Sequence, residues 1–261
     1  MNCPRCFRKK LYAIRRGKRR CAHCQYEWNP QQLPLQLFFR EWDNLLHWFL
    51  HGLSTQTIAQ ETGLNRQRIL RALHRVRTAM VQDIPEVFSG TVEIDETYLG
   101  GQWKNKRAKQ KRQPAKRGRG TLKTPVFGIL CRGGKVWAEV VPDVEAKTLM
   151  PLISRQVKPG STICSDTWKS YTGIAAKGYM HRLVDHSKKE YVDQQGNHIN
   201  GLEGFWGYLK RRLAAKGGIR REKLPLYLAE YVWRCNHRKQ QIQQQIQEII
   251  HLLLEKKYTK I

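Results

Sequence analysis

Acidic residues are scarce in this chain of 261 residues, which carries 21 Asp and Glu against 48 Lys and Arg. The formal net charge of +27 excludes an acidic disordered protein and is untypical of a neutral metabolic enzyme. Long apolar runs are also missing, and none approaches the roughly 18 residues that a membrane span needs. The first residues contain no apolar signal-peptide core, so we expect a soluble, cytoplasmic protein without a membrane partner.

The sequence also has no cofactor box, no glycine-rich phosphate loop and no signature of a nucleophilic triad. Its positive charge is spread widely, with a net charge of +9 in residues 1–90 and +18 in residues 91–261. A run without acids at 104–123 holds ten Lys and Arg and is predicted to be a basic loop. A single basic run is usually only a solvated surface, but this overall balance favours a polyanionic partner, most often nucleic acid.

Four of the seven cysteines form two C-x2-C pairs, Cys3 with Cys6 and Cys21 with Cys24. Each two-residue gap lets both thiolates of a pair reach one ion, so the pairs predict a closed, structural Zn²⁺ site in a small β-ribbon. His23 is an alternative ligand, and a redox pair or four incidental thiols is the alternative function. The predicted zinc ribbon spans residues 1–30.

Residues 36–82 are predicted to form a helix-turn-helix domain. Ser54 can cap one helix, Gly63 marks the turn, and Asn65 can cap a second helix from Arg66 to about Met80. A helical hairpin that only packs is the alternative. Polar side chains of this second helix are of the types that contact bases and phosphates, and the candidates for DNA binding are Arg66, Gln67, Arg68, Arg71 and Arg75.

The rest of the chain is predicted to be an α/β domain with a mixed sheet and C-terminal helices. Alternation predicts a strand at 91–98, and Gly133 with Gly134 predicts the turn of a hairpin. A short strand at 161–165 ends at Asp166 and is followed by a helix from about Trp168. Three strands, a helix, a strand and further helices predict the α/β layer. The expected boundaries are residues 90–237 for this domain and 238–261 for a C-terminal helix.

Carboxylates from separate segments of this domain suggest metal-dependent chemistry on DNA. Cleavage of a phosphodiester requires an activated nucleophile and neutralised charge, and two divalent ions supply both. Asp95 and Asp166 are suitable ligands for Mg²⁺ or Mn²⁺. Glu93 shares a strand face with Asp95, and Glu96 adjoins it, so either is an alternative ligand. A pair of solvated or salt-bridged acids is the alternative to a metal site.

Three blocks occur in order: EIDETYLGG at 93–101, SDTWKSY at 165–171 and HINGLEGFWGYLKR at 198–211. With these blocks the chain resembles bacterial insertion-sequence DDE transposases that carry an N-terminal zinc ribbon and an ISXO-like catalytic domain. The resemblance implies an RNase H-like fold and two-metal cleavage and joining of DNA. It also implies that the first ligand is Asp95 and that the protein acts in the cytoplasm at the nucleoid. The implied partners are terminal inverted repeats, target DNA and further copies of the chain, as a dimer or higher oligomer.

The third block offers several candidates on one predicted helix, 198–213. At 100° per residue, Asn200, Glu203 and Lys210 share an edge beside the apolar face. Glu203 is favoured as the third Mg²⁺ ligand because a carboxylate binds Mg²⁺ more strongly than an amide, with Asn200 as its neighbour. Lys210 is expected to grip a phosphate, or else is an ordinary surface lysine. A transcription regulator without catalysis and a nuclease that cuts without joining are the alternative functions.

Overall fold

The computed structural model describes residues 3, 6, 8–29, 33–83, 85, 87–100, 123–166, 173–183 and 200–255. Apart from Lys123, the predicted basic loop lies outside these ranges, as do residues 167–171 of the second block and 198–199 of the third. Within the described ranges, no helix is both long and apolar enough to cross a membrane. The chain divides into two units, Met1–Asp83 together with Lys239–Ile261, and Ile84–Arg238.

A small antiparallel sheet accompanies the cysteine pairs in the first unit. Its strands are β1 (Leu11–Ala13), β2 (Arg19–Cys21) and β3 (Glu27–Trp28), in that spatial order. The apolar cluster here consists of Cys3, Cys21 and the partly buried side chains around them. So small a cluster cannot stabilise a fold by burial alone, which is consistent with the predicted ion as a cross-link.

Three helices follow in the first unit: α1 (Phe39–Leu50), α2 (Thr55–Thr62) and α3 (Arg66–Met80). The predicted caps are present, because the Ser54 hydroxyl accepts from the Thr57 N–H at 3.1 Å. The N-cap side chain of α3 likewise accepts from the N–H of Gln67 at 2.8 Å. Such caps satisfy backbone donors that the first helical turn leaves unpaired, so the two helix starts are encoded locally.

The second unit is built on a mixed five-stranded sheet. Its strands are β4 (Thr91–Leu99), β5 (Thr124–Cys131), β6 (Val136–Val140), β7 (Thr162–Ser165) and β8 (Met180–Leu183). Their spatial order is β6-β5-β4-β7-β8. Strand β5 pairs antiparallel with β4 and β6, whereas β4, β7 and β8 run parallel. The predicted mixed sheet is therefore confirmed.

Helices cover both faces of this sheet. On one face, α4 (Ala146–Gln156) contributes Leu149 and Ile153 to a core with β4 and β5. On the other face, α5 (Asn200–Ala214) and α6 (Leu224–Asn236) form a second core against the same strands. The sheet is thus buried on both sides, and α5 lies directly over the strand that carries Asp95.

The C-terminal helix α7 (Ile242–Glu255) returns to the first unit and packs on α1 and α3. Its apolar face is buried at Ile246, Ile249, Ile250 and Leu253. The Gln243 amide also donates to Oδ1 of Asp43 on α1, at 2.9 Å. The sequence predicts this helix but gives no sign of its partners, which lie about 200 residues earlier in the chain.

Candidate active site and metal centre

Strand β4 presents a row of acids to the helices above it. Side chains alternate along a strand, so Val92 and Ile94 enter the core that contains α4. Glu93 and Asp95 point to the opposite face, where each is hydrogen-bonded by α5. The alternation expected from the sequence is therefore present, and it places two carboxyl groups under one helix.

Asp95 is held by an indole. The Nε1–H of Trp206 donates to Oδ2 of Asp95 at 3.0 Å. The ring lies over Gly128, the residue paired with Asp95 across β4 and β5. A Cβ at position 128 would lie 2.6 Å from two indole carbons, so only glycine admits this close approach. The indole thereby fixes the direction of the carboxyl group.

Asp166 lies beside Asp95 at the end of the neighbouring strand. In the parallel pairing of β4 with β7, Glu93 stands opposite Cys164, and two further residues along this register bring Asp166 level with Asp95. Burial, with the charges of Glu96 and Asp166, raises the pKa of the Asp95 carboxyl from 3.8 to about 7. The pKa rises because burial disfavours the charged form of Asp95 and the nearby negative charges disfavour it further. The structure thus brings the two predicted aspartates together.

The buried face of α5 separates two edges of the helix. Gly201 and Tyr208, on one edge, line a cavity of about 570 Å³ together with Leu130 of β5 and Val136 of β6. Glu203 and Lys210 lie on the other edge, and their side chains, like that of Asn200, are exposed.

The predicted zinc ligands form a tight cluster. Among the described residues, it is the only group of three or more His, Cys, Asp or Glu whose ligand atoms all lie within 4.8 Å of one another. Asp95, Asp166 and Glu203 do not form such a cluster, because their carboxyl oxygens do not all lie within 4.8 Å of one another. The cluster consists of Cys3, Cys6, Cys21 and Cys24.

The sulfur positions fit a tetrahedral ion. The Sγ atoms of Cys3 and Cys24 lie 3.6 Å apart, and those of Cys6 and Cys21 lie 3.5 Å apart. Zinc–sulfur bonds of about 2.3 Å in a tetrahedron require about 3.8 Å between sulfurs. Backbone N–H groups of Cys24 and His23 lower the pKa of the Cys21 thiol, and its thiolate is the form that binds metal. The side chain of His23 is exposed, and His23 is not in the cluster.

The predicted DNA-contacting side chains on α3 differ in their surroundings. Arg68 is half-buried and donates to the carbonyls of Leu35 at 3.0 Å and Gln36 at 3.2 Å. This arginine therefore links the segment before α1 to α3 by hydrogen bonds. The other four candidates are exposed, and they are Arg66, Gln67, Arg71 and Arg75.

Two residues of the site were not predicted from the sequence, and a third was predicted in a different role. Trp206 belongs to the apolar face of α5, and only its hydrogen bond reveals a second role. Gly128 looks like an ordinary strand glycine until the indole above it is seen. Glu93 was predicted only as an alternative ligand, whereas its Oε2 accepts from the N–H of Leu202 at 2.9 Å. A glycine inside a strand is the one local signal that could have indicated such a close approach.

The described residues form a mixed α/β domain with one aspartate on the central strand β4 and another just after the adjacent strand β7, and a separate unit with a four-cysteine cluster. These features are typical of a DNA-cutting enzyme with a zinc-binding module. Residues 87–236 match the family of the ISXO2-like transposase domain. The chain belongs to this family and is a DDE transposase of the insertion-sequence type. The resemblance inferred from the three sequence blocks is confirmed.

Two further similarities accompany the family match. An "uncharacterized transposase-like protein" of Haemophilus influenzae is 39% identical over 103 residues, which are 40% of this chain and 82% of that protein. The crystal structure of a pre-cleavage Mos1 transpososome covers 84% of this chain and 79% of its own, with 12% identity and a TM-score of 0.31. A TM-score this low carries no argument about fold or mechanism.

Proposed function

We propose that this transposase binds the terminal inverted repeats of its insertion sequence with its first unit and cleaves and joins DNA at Asp95 and Asp166. The observation that carries the proposal is the parallel pairing of β4 with β7, after which Asp166 follows close enough for its charge to raise the pKa of Asp95. Neighbouring carboxylates in an otherwise basic domain are well suited to bind divalent cations. The mixed sheet would then be an RNase H-like catalytic domain.

The proposed cofactor of this site is Mg²⁺ or Mn²⁺. When bound, two such ions activate the nucleophile and neutralise charge on the scissile phosphate. The raised pKa of Asp95 fits this proposal, because it reports carboxyl groups whose charges are poorly compensated within the protein. Glu203 is proposed as the third ligand, since it is an exposed acid on α5, the helix that packs on the strand carrying Asp95.

Other side chains of the second unit would support this chemistry. Trp206 would hold the Asp95 carboxyl in one orientation through its N–H. Lys210 lies two helical turns after Glu203 on the same edge, where its charge can grip a phosphate of the DNA. Asn200 precedes Glu203 by one turn and would serve as a hydrogen-bonding neighbour of the ligands.

End recognition is assigned to the first unit. The helices α2 and α3, separated by a turn in which Gly63 has a φ of +67°, support a helix-turn-helix with α3 as its recognition helix. The cysteine cluster supports a structural Zn²⁺ beside it. Target DNA as a second substrate and assembly of two or more copies on DNA remain part of the proposal, as does the basic loop at 104–123 as a DNA-binding segment.

The experiment is Mg²⁺-dependent cleavage of labelled element ends, which can be identified as inverted repeats flanking the coding sequence. Asp95→Asn should abolish cleavage while leaving end binding intact, since the first unit is unchanged. Comparing Glu203→Gln with Asn200→Ala then identifies the third ligand. We expect Glu203→Gln to be inactive and Asn200→Ala to keep partial activity.

Each contrary result has a definite meaning. Normal cleavage by Glu203→Gln together with loss in Asn200→Ala would reverse their roles. Cleavage without joining in a strand-transfer assay would identify a nuclease. Normal cleavage by all three variants, or end binding without any cleavage by the unmodified protein, would leave a DNA-binding regulator as the function.

A further inference from the structure

Glu93 is a buried acid that the proposed chemistry does not use. Its side chain is fully buried at 0% exposure, on the same face of β4 as Asp95. Its Oε2 accepts from the backbone N–H of Leu202 at 2.9 Å, in the first turn of α5. Its Oε1 lies 3.7 Å from Nε of Arg132. This carboxyl group therefore connects the catalytic strand to the start of the helix that carries Glu203.

Two hydrogen bonds fix α5 on β4, and their spacings match. Leu202 and Trp206 are four residues apart on the helix, a rise of about 6 Å. Their partners Glu93 and Asp95 are two residues apart on the strand, about 7 Å. Because the helix is held at two points along its length, it can neither slide along the strand nor rotate freely on it.

Gly201 shows how closely the first turn of α5 approaches this acid. A Cβ at position 201 would lie 3.0 Å from Oε2 of Glu93 and 3.2 Å from Cδ2 of Leu130. These distances are shorter than ordinary van der Waals contacts, so the helix start rests directly on the carboxyl group. Glu203 is only two residues further along, so its position depends on this contact.

Stability alone gives little reason for an acid at this position. Burial of a carboxylate costs several kcal/mol, and an apolar side chain of similar volume is often neutral or better. A buried polar group can instead specify one arrangement of packed elements, which is its best-supported use. At position 93, the arrangement specified is the placement of α5 over β4.

We propose that Glu93 is a positioning residue of the active site, which fixes the first turn of α5 so that Glu203 faces Asp95 and Asp166. This inference rests on the proposed function, because it takes Glu203 as a metal ligand. Glu93 itself touches neither substrate nor metal. Loss of its hydrogen bond to Leu202 should loosen the third ligand while leaving the two aspartates in place.

The test compares Glu93→Met with Glu93→Gln in the zinc-loaded full-length protein. Both variants lose the charge beside Arg132, but only glutamine keeps an oxygen that accepts from Leu202. Methionine has a similar volume and is apolar, so the fold should survive. The matched control is Glu230→Met, which removes another acid buried to 1% exposure and paired with an arginine, Arg234 at 3.0 Å.

Two measurements separate positioning from general stability. Mn²⁺ affinity is followed by the electron paramagnetic resonance of the free ion, and cleavage of element ends is measured against Mg²⁺ concentration. We expect Glu93→Met to lower both by about 10- to 100-fold, the usual effect of removing a residue that supports metal ligands. Glu93→Gln should restore most of the affinity. End binding should not change in either variant.

Several results would overturn the inference. One is wild-type Mn²⁺ affinity and cleavage in Glu93→Met. Another is an equal loss of Mn²⁺ affinity and cleavage in Glu93→Gln and Glu93→Met, which would mean that the charge of Glu93 matters. A third is an equal loss in Glu230→Met, which would mean that the effect comes from lower stability. If the proposed metal site itself is wrong, Asp95→Asn should have the same Mn²⁺ affinity as the unmodified protein. This result distinguishes failure of the proposed function from failure of the role proposed for Glu93.

Discussion

At the scale of single residues, the contact between Gly128 and Trp206 supports the Asp95 carboxyl. In Gly128→Ala the new Cβ would overlap the indole, so the ring must move and its hydrogen bond to Asp95 must lengthen or break. We expect a loss of about 1–3 kcal/mol in the free energy of unfolding, typical of overpacking, together with reduced cleavage. Thermal unfolding and end cleavage measure the two effects.

The control is Gly204→Ala, since a Cβ at position 204 meets no atom within 4 Å. This change adds the same methyl group inside α5 and should raise stability by up to about 1 kcal/mol through helix propensity. Equal stability of the two variants would show that the indole has room to move.

The pKa of Asp95 predicts how stability depends on pH. The folded pKa of about 7 lies above the ordinary 3.8, so between these values the folded state binds more protons than the unfolded state. The contribution of Asp95 to stability must therefore fall as pH rises from about 4 to 7, and this loss is complete above pH 7. Asp95→Asn removes this loss and still offers an oxygen to Trp206.

Without added Mg²⁺ or Mn²⁺, Asp95→Asn should therefore raise Tm at pH 8 by at least about 3 °C and have little effect near pH 4. Melting curves at several pH values, with zinc retained, give the comparison. Addition of Mg²⁺ at pH 8 should raise the Tm of the unmodified protein but not of the variant. The same difference in Tm at pH 5 and pH 8 would argue against the raised pKa.

At the level of secondary-structure elements, two arginines of α3 are expected to have different roles, one in DNA binding and one in stability. Arg71 is exposed, so Arg71→Ala should leave Tm unchanged and weaken end binding, by about 1–3 kcal/mol if it contacts a base. Arg68 bonds to two carbonyl groups, so Arg68→Ala should lower Tm by the loss of these bonds. Melting curves and end-binding titrations distinguish them. A larger drop in Tm for Arg71→Ala would contradict this assignment.

The cysteine cluster should bind one Zn²⁺ per chain. Elemental analysis of purified protein tests this, and a zinc content near zero in a folded sample that binds DNA would refute it. Chelation should weaken end binding more than it disturbs the second unit, because the small sheet has little other stabilisation. Circular dichroism and end binding, measured before and after chelation, would show the difference.

At the scale of the whole molecule, the C-terminal helix completes the first unit. Ile249 on α7 is buried at 0% exposure, whereas the adjacent Glu248 is exposed. Ile249→Ala should cost about 2–5 kcal/mol and weaken end binding through unfolding of this unit. Glu248→Ala should stay within about 0.5 kcal/mol of the unmodified protein. Thermal unfolding and end binding would test both, and equal effects would mean that α7 does not pack as described.

The arrangement of the chain explains why a change near residue 250 would act at the opposite end of the sequence. The polypeptide leaves the first unit after Asp83, forms the second unit and returns at Lys239. Both ends of the second unit are thereby joined to the first. A protein shortened at Arg238 would keep the aspartate site but lose a wall of the unit proposed to hold DNA.

Much of the local structure could be predicted because its causes are local. The capped starts of α2 and α3 follow from Ser54 and Asn65, and the strand that carries Asp95 follows from its alternation. The strand predicted at 91–98 is observed as Thr91–Leu99, and the helix predicted from Arg66 to about Met80 is observed as Arg66–Met80. Local signals thus give the elements with small errors at their ends.

Residue types and their spacing were enough to predict the family, the cysteine cluster and the candidate acids, since they carry that information directly. The hydrogen bonds of Trp206 to Asp95 and of Leu202 to Glu93 were found only in the folded protein. These partners are 111 and 109 residues apart, and packing of α5 on β4, which no local pattern encodes, brings them together. Periodicity assigns a side chain to a face, but its partner depends on how that face is packed against another element.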